Sequence, residues 1–485
     1  MHIVFAASEC VPFAKTGGLA DVVGALPPEL AKLGHEVTVY LPLYAGVKRH
    51  ISGEWTYAVR SITIPFEYYN HFVDIVDGGK RAGVRYYFVD CPELFDRQGL
   101  YGTAQGDYPN NWERFGLFCR AVLEATKLLG VPQIFHVHDW QAALIPVYLR
   151  TTYNSDPVLR HAGTVFTIHN AGYQGWFPPP TTERLLFPWE IFTMDKVEQF
   201  DTFNFLKGGL VYSDILTTVS RKYAEEIQTP EFGEKLDSVL RGRRADLRGI
   251  LNGVDYTQWN PATDTNLVAH YSQENLTGKE QCRTDLLQAA GLEKVEASTP
   301  VLGIVSRFAA QKGFDLLEQV AGKLSEREVA VVVLGSGEPV YEKFFRDWAF
   351  WNKANVAVRI GYDERMAHKI EAGSDIFLMP SRYEPCGLNQ IYSLKYGTVP
   401  VVRATGGLDD TIEEWNPEQG TGTGFKFKES EAEALLAAID RALAAFEDKV
   451  GWTKLMLNGM TCNYSWVQPA LEYAAVYDEV TRRRT

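Results

Sequence analysis

A lysine followed by a glycine pair comes early in the chain, in the segment AKTGGLADVVGALPPEL at residues 14–30. The apolar run HIVFAA precedes it and predicts a buried first strand. Four apolar residues then follow at helical spacing and predict an amphipathic helix: Leu19, Val22, Val23 and Leu26. A helix that begins at the glycines offers open backbone N–H groups to an anion, and Lys15 adds a positive charge. The segment therefore predicts an anion-binding loop between a strand and a helix.

A second cluster lies in SRFAAQKGFD, residues 306–315, directly after the apolar run PVLGIV. Arg307 and Lys312 stand on one predicted loop, where a guanidinium fork and a mobile ammonium can both bind a diphosphate. Two isolated cations more often form a solvated surface. However, ligands of open α/β sheets bind at the carboxyl ends of the strands, which is where this loop lies. Its position favours the diphosphate interpretation.

A third cluster lies in PSRYEPCGLNQIYSLKYGTVPVVRATGGLDDTI, residues 380–412. Glu384 is on a proline-bounded loop, before a helix that we expect to begin near Gly387. A second glycine pair, Gly406 and Gly407, follows the run TVPVVRA and begins another predicted helix. Glycine pairs serve turns far more often than ligands, and a loop glutamate is most often a surface carboxylate. The two helix starts favour a contact between Glu384 and sugar hydroxyls.

Further polar residues follow apolar runs elsewhere in the chain. Asp139 lies in HVHDWQ, and His169 and Asn170 lie in FTIHNAGYQG. Asn252 lies in GILNGVD, where a simple Asn-Gly turn is the plainer interpretation. With an arginine, a lysine and two helix N-termini, these groups suit a reaction in which a diphosphate leaves a polyhydroxylated donor, because positive charge stabilises the leaving group.

The bulk composition excludes several classes of protein. The 485 residues are 46% hydrophobic and 22% charged, which is typical of a globular protein with substantial cores. A formal net charge of −13 argues against broad nucleic-acid binding. The N-terminus lacks the pattern of an export signal, and no apolar run approaches the ~20 residues of a spanning helix, so we expect a cytoplasmic protein that does not bind membranes. Six scattered cysteines without a C-x-x-C pair predict neither a zinc site nor a disulfide framework, and we expect no metal and no cofactor.

Short β-branched runs alternate with helical patterns through most of the chain, and this alternation predicts parallel sheets covered by helices on both faces. A polar stretch from Ala262 to Pro300 separates two series of strands, and we place a hinge near residues 245–260. We expect an α/β fold with two doubly wound, Rossmann-like domains facing across a deep cleft. Residues 55–90 alternate around glycine-rich turns and predict hairpins added to the first sheet.

Seven blocks, in order, resemble bacterial glycogen synthases and plant starch synthases: KTGGLADVVGALP, HVHDWQ, TIHNAGYQG, GILNGVD, SRFAAQKGFD, SRYEPCGLNQ and TGGLDDT. The resemblance implies a GT-B architecture, with an acceptor-side domain over residues 1–250 completed by a helix at 465–485, and a donor-side domain over 251–464. It also implies transfer of glucose from ADP-glucose to the non-reducing 4-hydroxyl of an α-1,4-glucan such as glycogen. The oligomeric state stays open.

The resemblance assigns roles to individual residues. It implies that Lys15 binds the donor, with Gly17 and Gly18 at its phosphates, and that Arg307 and Lys312 neutralise the departing diphosphate. His169 matches a residue beside the reacting glucose, and Glu384 and Cys386 match residues that contact the donor sugar. The matching blocks also place a further set at the donor: Asn252, Gly387, Thr405, Gly406 and Gly407. Asp21, Asp139 and Asn170 match polar groups near the donor or acceptor.

One position departs from the wider superfamily of retaining GT-B enzymes. Those enzymes often carry a second glutamate eight positions after the first, where this chain has Tyr392. Glycogen and starch synthases share this departure, which weakens any assignment of a second carboxylate to the donor ribose. No carboxylate in the blocks is an obvious covalent nucleophile of the kind that retaining glycosidases use. The family resemblance favours attack on the same face as the departing phosphate, which accepts the acceptor's proton.

Three other interpretations compete with this one. A dehydrogenase should show G-x-G-x-x-G after its first strand, and the nearest match, GSGEPV at 335–340, lacks the third glycine. A non-catalytic glucan-binding relative would tolerate the loss of the cations and Glu384, all of which are present. A retaining transferase with UDP-glucose or with another acceptor, such as a sucrose or trehalose phosphate synthase, is opposed only by the family resemblance.

Overall fold

The computed structural model describes residues 1–50, 56–103 and 105–484. Trp55, at the start of the predicted hairpin region, and Thr485, at the end of the predicted last helix, lie outside these residues. The chain forms two compact units. Unit 1 comprises Met1–Gly253 and Trp466–Thr485, and unit 2 comprises Val254–Ser465. Asn252 therefore belongs to unit 1.

The strands are given in chain order. They are β1 His2–Ala6, β2 Glu36–Pro42, β3 Thr56–Pro65, β4 Asn70–Arg81, β5 Val84–Asp90, β6 Gly102–Thr103, β7 Gly106–Asp107, β8 Ile134–His138, β9 Gly163–Ile168, β10 Trp176–Phe177, β11 Glu198–Gln199, β12 Thr202–Asn204, β13 Ile215–Thr218, β14 Leu247–Gly249, β15 Val301–Phe308, β16 Ala330–Gly337, β17 Val356–Ile360, β18 Ile376–Met379, β19 Val399–Arg403 and β20 Phe425–Phe427.

The α-helices follow the same order. They are α1 Gly18–Lys32, α2 Pro92–Phe95, α3 Asn111–Leu129, α4 Asp139–Ala142, α5 Leu144–Arg150, α6 Thr181–Arg184, α7 Phe205–Tyr212, α8 Arg221–Glu226, α9 Asp237–Gly242, α10 Thr277–Ala290, α11 Phe314–Ser325, α12 Pro339–Trp351, α13 Glu364–Gly373, α14 Asn389–Lys395, α15 Gly406–Thr411, α16 Ala432–Glu447, α17 Lys449–Thr461 and α18 Val467–Arg484. Short 3-10 turns span Val47–His50, Trp189–Ile191 and Ala310–Lys312.

The main sheet of unit 1 has the order β14-β13-β9-β8-β1-β2-β5-β4-β3. Its strands from β14 to β5 pair in parallel, whereas β3, β4 and β5 form an antiparallel meander at one edge. The prediction of parallel strands with added hairpins is confirmed. Central strands such as β9 are buried along their whole length, because helices cover a parallel sheet on both faces.

Unit 2 has a second parallel sheet, with the order β17-β16-β15-β18-β19-β20. Neighbouring β15 and β18 pair in parallel, with Leu302 opposite Ile376. Helices α11, α12 and α16 contribute to the apolar core on this sheet. Because the carboxyl ends of parallel strands meet at one edge, the loops after β15, β18 and β19 lie next to one another.

Helix α1 confirms the expected amphipathic pattern after the first glycine pair. Leu19, Val22, Val23 and Leu26 are all buried, and Gly17 is the N-cap residue with an extended φ of −155°. Asp21 lies in the first turn, and no side chain caps the helix. The helix therefore presents a polar, uncapped N-terminus beside Lys15.

Helix α18 returns to complete unit 1. It packs against α1 and β9, and Tyr473, Tyr477 and Val480 are buried there. Its basic end pairs with the body of the unit, since Arg483 Nη1 lies 2.8 Å from Asp246 Oδ1. Within the described residues, none of the helices combines the length and the apolar character that crossing a membrane requires.

Candidate active site

An ion pair lies at the strand ends of unit 2. Lys312 Nζ lies 2.6 Å from Glu384 Oε2, and Ser381 Oγ donates to the same oxygen at 2.9 Å. The lysine side chain is 19% exposed and the glutamate side chain 8%. Two predicted site residues that are 72 positions apart in sequence are thus in direct contact, with the lysine still reachable from solvent.

Backbone packing explains why these two loops meet. Gly313 has a φ of +69°, and a Cβ there would overlap the carbonyl oxygen of Pro380. The Arg382 N–H donates to the Gln311 carbonyl at 2.8 Å, and Gln311 Nε2 donates to the Tyr383 carbonyl at 3.2 Å. The glycine after Lys312 is therefore required for the close approach that places the lysine beside Glu384.

The second glycine pair packs against the loop that carries Glu384 and Cys386. Gly406 has a φ of +46°, and a Cβ there would overlap the Glu384 carbonyl oxygen. The Gly407 N–H donates to that same carbonyl at 3.1 Å, and a Cβ on Gly407 would overlap the Cys386 carbonyl. Thr405 is the N-cap residue of α15. Glycine is needed here for protein packing, and the packing joins the two halves of the third cluster.

Three other predicted residues of unit 2 lie at the same edge of the sheet. Arg307 is exposed near the end of β15, opposite Ser336 of β16. The Cys386 side chain is buried, and it forms no disulfide bond among the described residues. Gly387 has a φ of +71° and lies against the Gln390 side chain. In the structure, the predicted donor-side residues of unit 2 thus lie together at the carboxyl ends of its strands.

The predicted anion-binding loop of unit 1 also carries a lysine and a carboxylate. Lys15 Nζ lies 2.6 Å from Asp21 Oδ1, with 50% and 28% of the two side chains exposed. Burial raises the pKa of Asp21, and the Lys15 charge partly offsets that rise. A Cβ on Gly17 or Gly18 would meet nothing within 4 Å, so neither glycine is required by packing. The space above this helix start is open.

Glu9 is a functional candidate that the sequence reasoning missed. Its carboxylate accepts hydrogen bonds from the Thr16 N–H (2.5 Å), the Thr16 hydroxyl (2.5 Å), the Gly17 N–H (3.1 Å) and the Tyr101 hydroxyl (2.6 Å). The Gly17 N–H, which we expected at a phosphate, is therefore bonded to Glu9 in this structure. The only local signal is a lone glutamate just after the first strand, because its partners come from two other segments.

Asp139 and His169 lie together after β8 and β9. Asp139 Oδ1 accepts the His169 N–H at 2.7 Å, and the Asp139 backbone has a φ of +52°. Burial raises the pKa of Asp139 to about 7, against the amide hydrogen bonds from His169 and Asn170, and the Glu9 charge adds to the rise. The Glu9 charge also makes the smallest contribution to the raised pKa of Asp21.

His169 is kept uncharged, since burial lowers its pKa to about 3. Asn170 forms a local turn, in which its Oδ1 accepts the Gly172 N–H at 2.9 Å. Asn252 is buried, and its Oδ1 has no hydrogen-bond partner within the described residues. Its N–H donates to the Val219 carbonyl at 3.4 Å, and no hydrogen bond within the described residues joins Asn252 to another predicted residue of unit 1.

Comparisons with known proteins agree on one group. A model of the starch synthase catalytic domain matches residues 2–242, and a model of glycosyl transferases group 1 matches residues 293–452. The chain is 58% identical over 484 residues to a glycogen synthase of Koribacter versatilis, covering 100% of this chain and 99% of that protein. It is 45% identical to a glycogen synthase of Syntrophotalea carbinolica, covering 98% of each.

Solved structures give the same result for the fold. The catalytic domain of starch synthase IV from Arabidopsis thaliana, bound to ADP and acarbose, is 31% identical, with a TM-score of 0.91 and 99% of each chain covered. A sucrose-phosphate synthase from Thermosynechococcus elongatus is 17% identical, with a TM-score of 0.59, and shares the fold alone. Two parallel α/β units with functional groups at their strand ends define a glycosyltransferase of GT-B architecture. The chain belongs to the glycogen synthase family.

Proposed function

We propose that this chain transfers glucose from ADP-glucose to the non-reducing 4-hydroxyl of an α-1,4-glucan, with retention of configuration. The observation that carries the proposal is the contact between Lys312 and Glu384 at the strand ends of unit 2. A cation held at this edge can bind the phosphate that departs as ADP, while the adjacent carboxylate can bind sugar hydroxyls. The expected cytoplasmic location stays a prediction.

In this mechanism unit 2 binds the donor. Lys312 and Arg307 stabilise the negative charge that develops on the diphosphate as its bond to glucose breaks. Glu384 balances the Lys312 charge before the donor binds and then orients the glucose. Cys386, Gly387, Thr405, Gly406 and Gly407 form the loop edge that borders the donor.

Unit 1 contributes an ammonium and several uncharged groups. Lys15 leaves Asp21 to bind the donor phosphate, and the N-terminus of α1 adds its backbone N–H groups, that of Gly18 included. His169 is neutral and donates to a sugar hydroxyl, whereas Asp139 and Asn170 hold the backbone around it. The role of Asn252 in donor binding rests on the family pattern alone.

Retention of configuration follows in this proposal from attack on the same face as the leaving phosphate. The phosphate oxygen accepts the proton of the attacking 4-hydroxyl as the new glycosidic bond forms, so no side chain is glucosylated. The test is intact-protein mass spectrometry after rapid mixing with ADP-glucose, in the absence of acceptor. A covalent glucosyl adduct on any side chain would contradict this mechanism.

The identities of the donor's nucleobase and of the acceptor are supported by relatives of this chain. ADP is supported by the Arabidopsis starch synthase structure, which was solved with ADP and acarbose bound. The relatives named glycogen synthase support a glucan acceptor. The alternative is a retaining transferase of the same fold that uses UDP-glucose or a different acceptor.

The test measures release of nucleoside diphosphate from ADP-glucose and from UDP-glucose, each with and without glycogen. The expected result is release from ADP-glucose that depends on glycogen and collapses in the Lys312→Ala variant. A preference for UDP-glucose would change the proposed donor and leave the proposed acceptor as it is. Release that ignores glycogen would point to another acceptor, and no release from either donor would favour a binding protein.

A further inference from the structure

Three histidines, two of them buried and His169 half-buried, form a row that ends at His169. His136 and His138 come from β8, and both are fully buried. Their rings lie 4.2 Å apart between centroids, and His138 Nδ1 lies 3.0 Å from His169 Nε2. Every member belongs to unit 1, and the motif HVHDWQ showed only the spacing of the first two.

The far end of the row is anchored by hydroxyl groups. His136 Nδ1 is hydrogen-bonded to the Tyr477 hydroxyl at 2.8 Å, and His136 Nε2 to the Thr167 hydroxyl at 2.6 Å. Thr167 is in turn bonded to Thr217 at 2.6 Å. Tyr477 lies on α18, so the last helix of the chain holds the first ring of the row in place.

The hydrogen-bond pattern decides where the protons lie. His138 Nε2 is buried and has no hydrogen-bond partner within the described residues. A proton on Nε2 would leave a buried N–H unpaired, whereas a proton on Nδ1 leaves only a lone pair unpaired, and buried unpaired N–H groups are the rarer of the two. The Nδ1–H of His138 therefore donates to His169 Nε2.

This assignment also determines the tautomer of His169. Burial keeps His169 neutral, so it carries one proton, and its Nε2 already accepts from His138. Its proton must be on Nδ1, which has no partner within the described part of the chain and is free to donate. We propose that His138 is a positioning residue that holds His169 as the Nδ1–H tautomer, ready to donate a hydrogen bond to a hydroxyl of the substrate. Only the identity of that substrate rests on the proposed function.

The direct test is nuclear magnetic resonance of the full chain, labelled with ¹⁵N at histidine. Two-bond ¹H–¹⁵N correlations distinguish Nδ1–H from Nε2–H rings, and spectra of His138→Asn and His169→Gln assign the two signals. We expect both rings to carry their proton on Nδ1 in the wild-type protein. A His169 signal of the Nε2–H type would overturn the proposal.

Kinetics provide the second test. His138→Leu removes the donor to His169, and we expect kcat to fall about 10- to 100-fold, by analogy with the loss of hydrogen-bond partners that orient metal-ligating histidines, with a smaller change in KM. His138→Asn should recover most of that loss, because its Nδ2–H can replace the Nδ1–H donor. His161→Leu, an exposed histidine of the same unit, is the matched control.

The outcomes separate this inference from the proposed function. Equal losses in the Leu and Asn variants, with the His169 signal unchanged, would show that His138 only packs, and would overturn the inference. If His138→Leu does not fold, the wild-type spectrum and the Asn variant still decide the matter. If the wild-type protein transfers no glucose yet His169 carries its proton on Nδ1, the proposed function fails and the positioning role stands.

Discussion

The clusters of polar residues at the strand ends of the two units differ in their charge. In unit 2, Lys312 and Glu384 form a close ion pair at 2.6 Å. In unit 1, burial keeps His169 neutral and raises the pKa of Asp139 to about 7. Both clusters lie at the carboxyl ends of the strands of a parallel sheet. The topology therefore determines where each cluster lies but not its charge. The difference fits the proposed division of roles, in which unit 2 provides charge for a diphosphate and unit 1 provides mainly neutral polar groups for sugar hydroxyls.

The Lys15–Asp21 pair is the exception within unit 1. It has the same 2.6 Å separation as the Lys312–Glu384 pair, but half of its lysine side chain is exposed. Water screens such a pair, so the lysine exchanges its partner easily. Equal distances therefore do not imply equal energies, and the following variants test that difference.

Lys312→Ala should have the largest effect. It removes a cation that we place at the leaving group and leaves the buried Glu384 carboxylate without a positive charge beside it, so we expect kcat to fall by about 10²- to 10³-fold. The measurement is the rate of ADP release with glycogen present. Lys323→Ala, which breaks an exposed pair with Glu433 in the same unit, is the control and should change the rate little. Similar losses in both variants would contradict the assignment.

Lys15→Ala should have a smaller effect, since its ammonium is more exposed to water. We expect the catalytic efficiency kcat/KM for ADP-glucose to fall about 10-fold, which corresponds to about 1.4 kcal/mol. Lys32→Ala is the matched control, because Lys32 pairs with Glu29 at 2.6 Å on the same helix. If Lys15→Ala proved as damaging as Lys312→Ala, the contrast drawn between the two pairs would be wrong.

Glu9→Gln tests the support beneath the Lys15 loop. A glutamine can keep its one acceptor oxygen on the N–H groups of Thr16 and Gly17, but its NH2 group then faces the Thr16 and Tyr101 hydroxyls, which lose their acceptor. We expect the free energy of unfolding to fall by about 1–3 kcal/mol, together with a rise in KM for the donor. Urea unfolding and donor titrations measure the two quantities. Glu93→Gln, at an exposed position of the same unit, should change neither.

Asp139→Asn tests the neutral character of the unit 1 cluster. The native pKa of about 7 lies above the ordinary value of 3.8, so the folded chain binds the proton more tightly than the unfolded chain does. Asp139 therefore favours folding below about pH 4, and this contribution is lost as the pH rises toward 7.

The measurement is the free energy of unfolding across that pH range. Relative to Asp139→Asn, the wild-type protein should lose at most about 1.4 kcal/mol per pH unit between those limits. Parallel curves for the two proteins would show that Asp139 ionises normally in the fold.

Local patterns predicted much of the architecture. The spacing of Leu19, Val22, Val23 and Leu26 indicated the buried face of α1, and the β-branched runs indicated the parallel strands. Both signals lie within a few turns of chain, where the period of the apolar residues reports the element directly. The motifs also placed Lys312 on a loop after a strand and Glu384 on a proline-bounded loop, without showing that the two loops meet.

Contacts between distant segments could not be predicted in this way. Glu9 accepts hydrogen bonds from Thr16 and Tyr101, and His136 is hydrogen-bonded to Tyr477, which is 341 positions away. A sequence pattern does not indicate which buried hydroxyl group is hydrogen-bonded to which histidine ring. The reason for the second glycine pair was likewise hidden, because Gly406 and Gly407 pack on carbonyl groups of residues 384–386.

The return of α18 to unit 1 has a consequence for biosynthesis. Residues 254–465 are translated between the two parts of unit 1, so unit 2 can be complete while unit 1 still lacks its last helix. Until residues 467–484 leave the ribosome, the surface that receives Tyr473, Tyr477 and Val480 is uncovered, and exposed apolar surface of this kind promotes aggregation. The nascent chain therefore exposes this apolar surface from the completion of unit 2 until α18 has emerged.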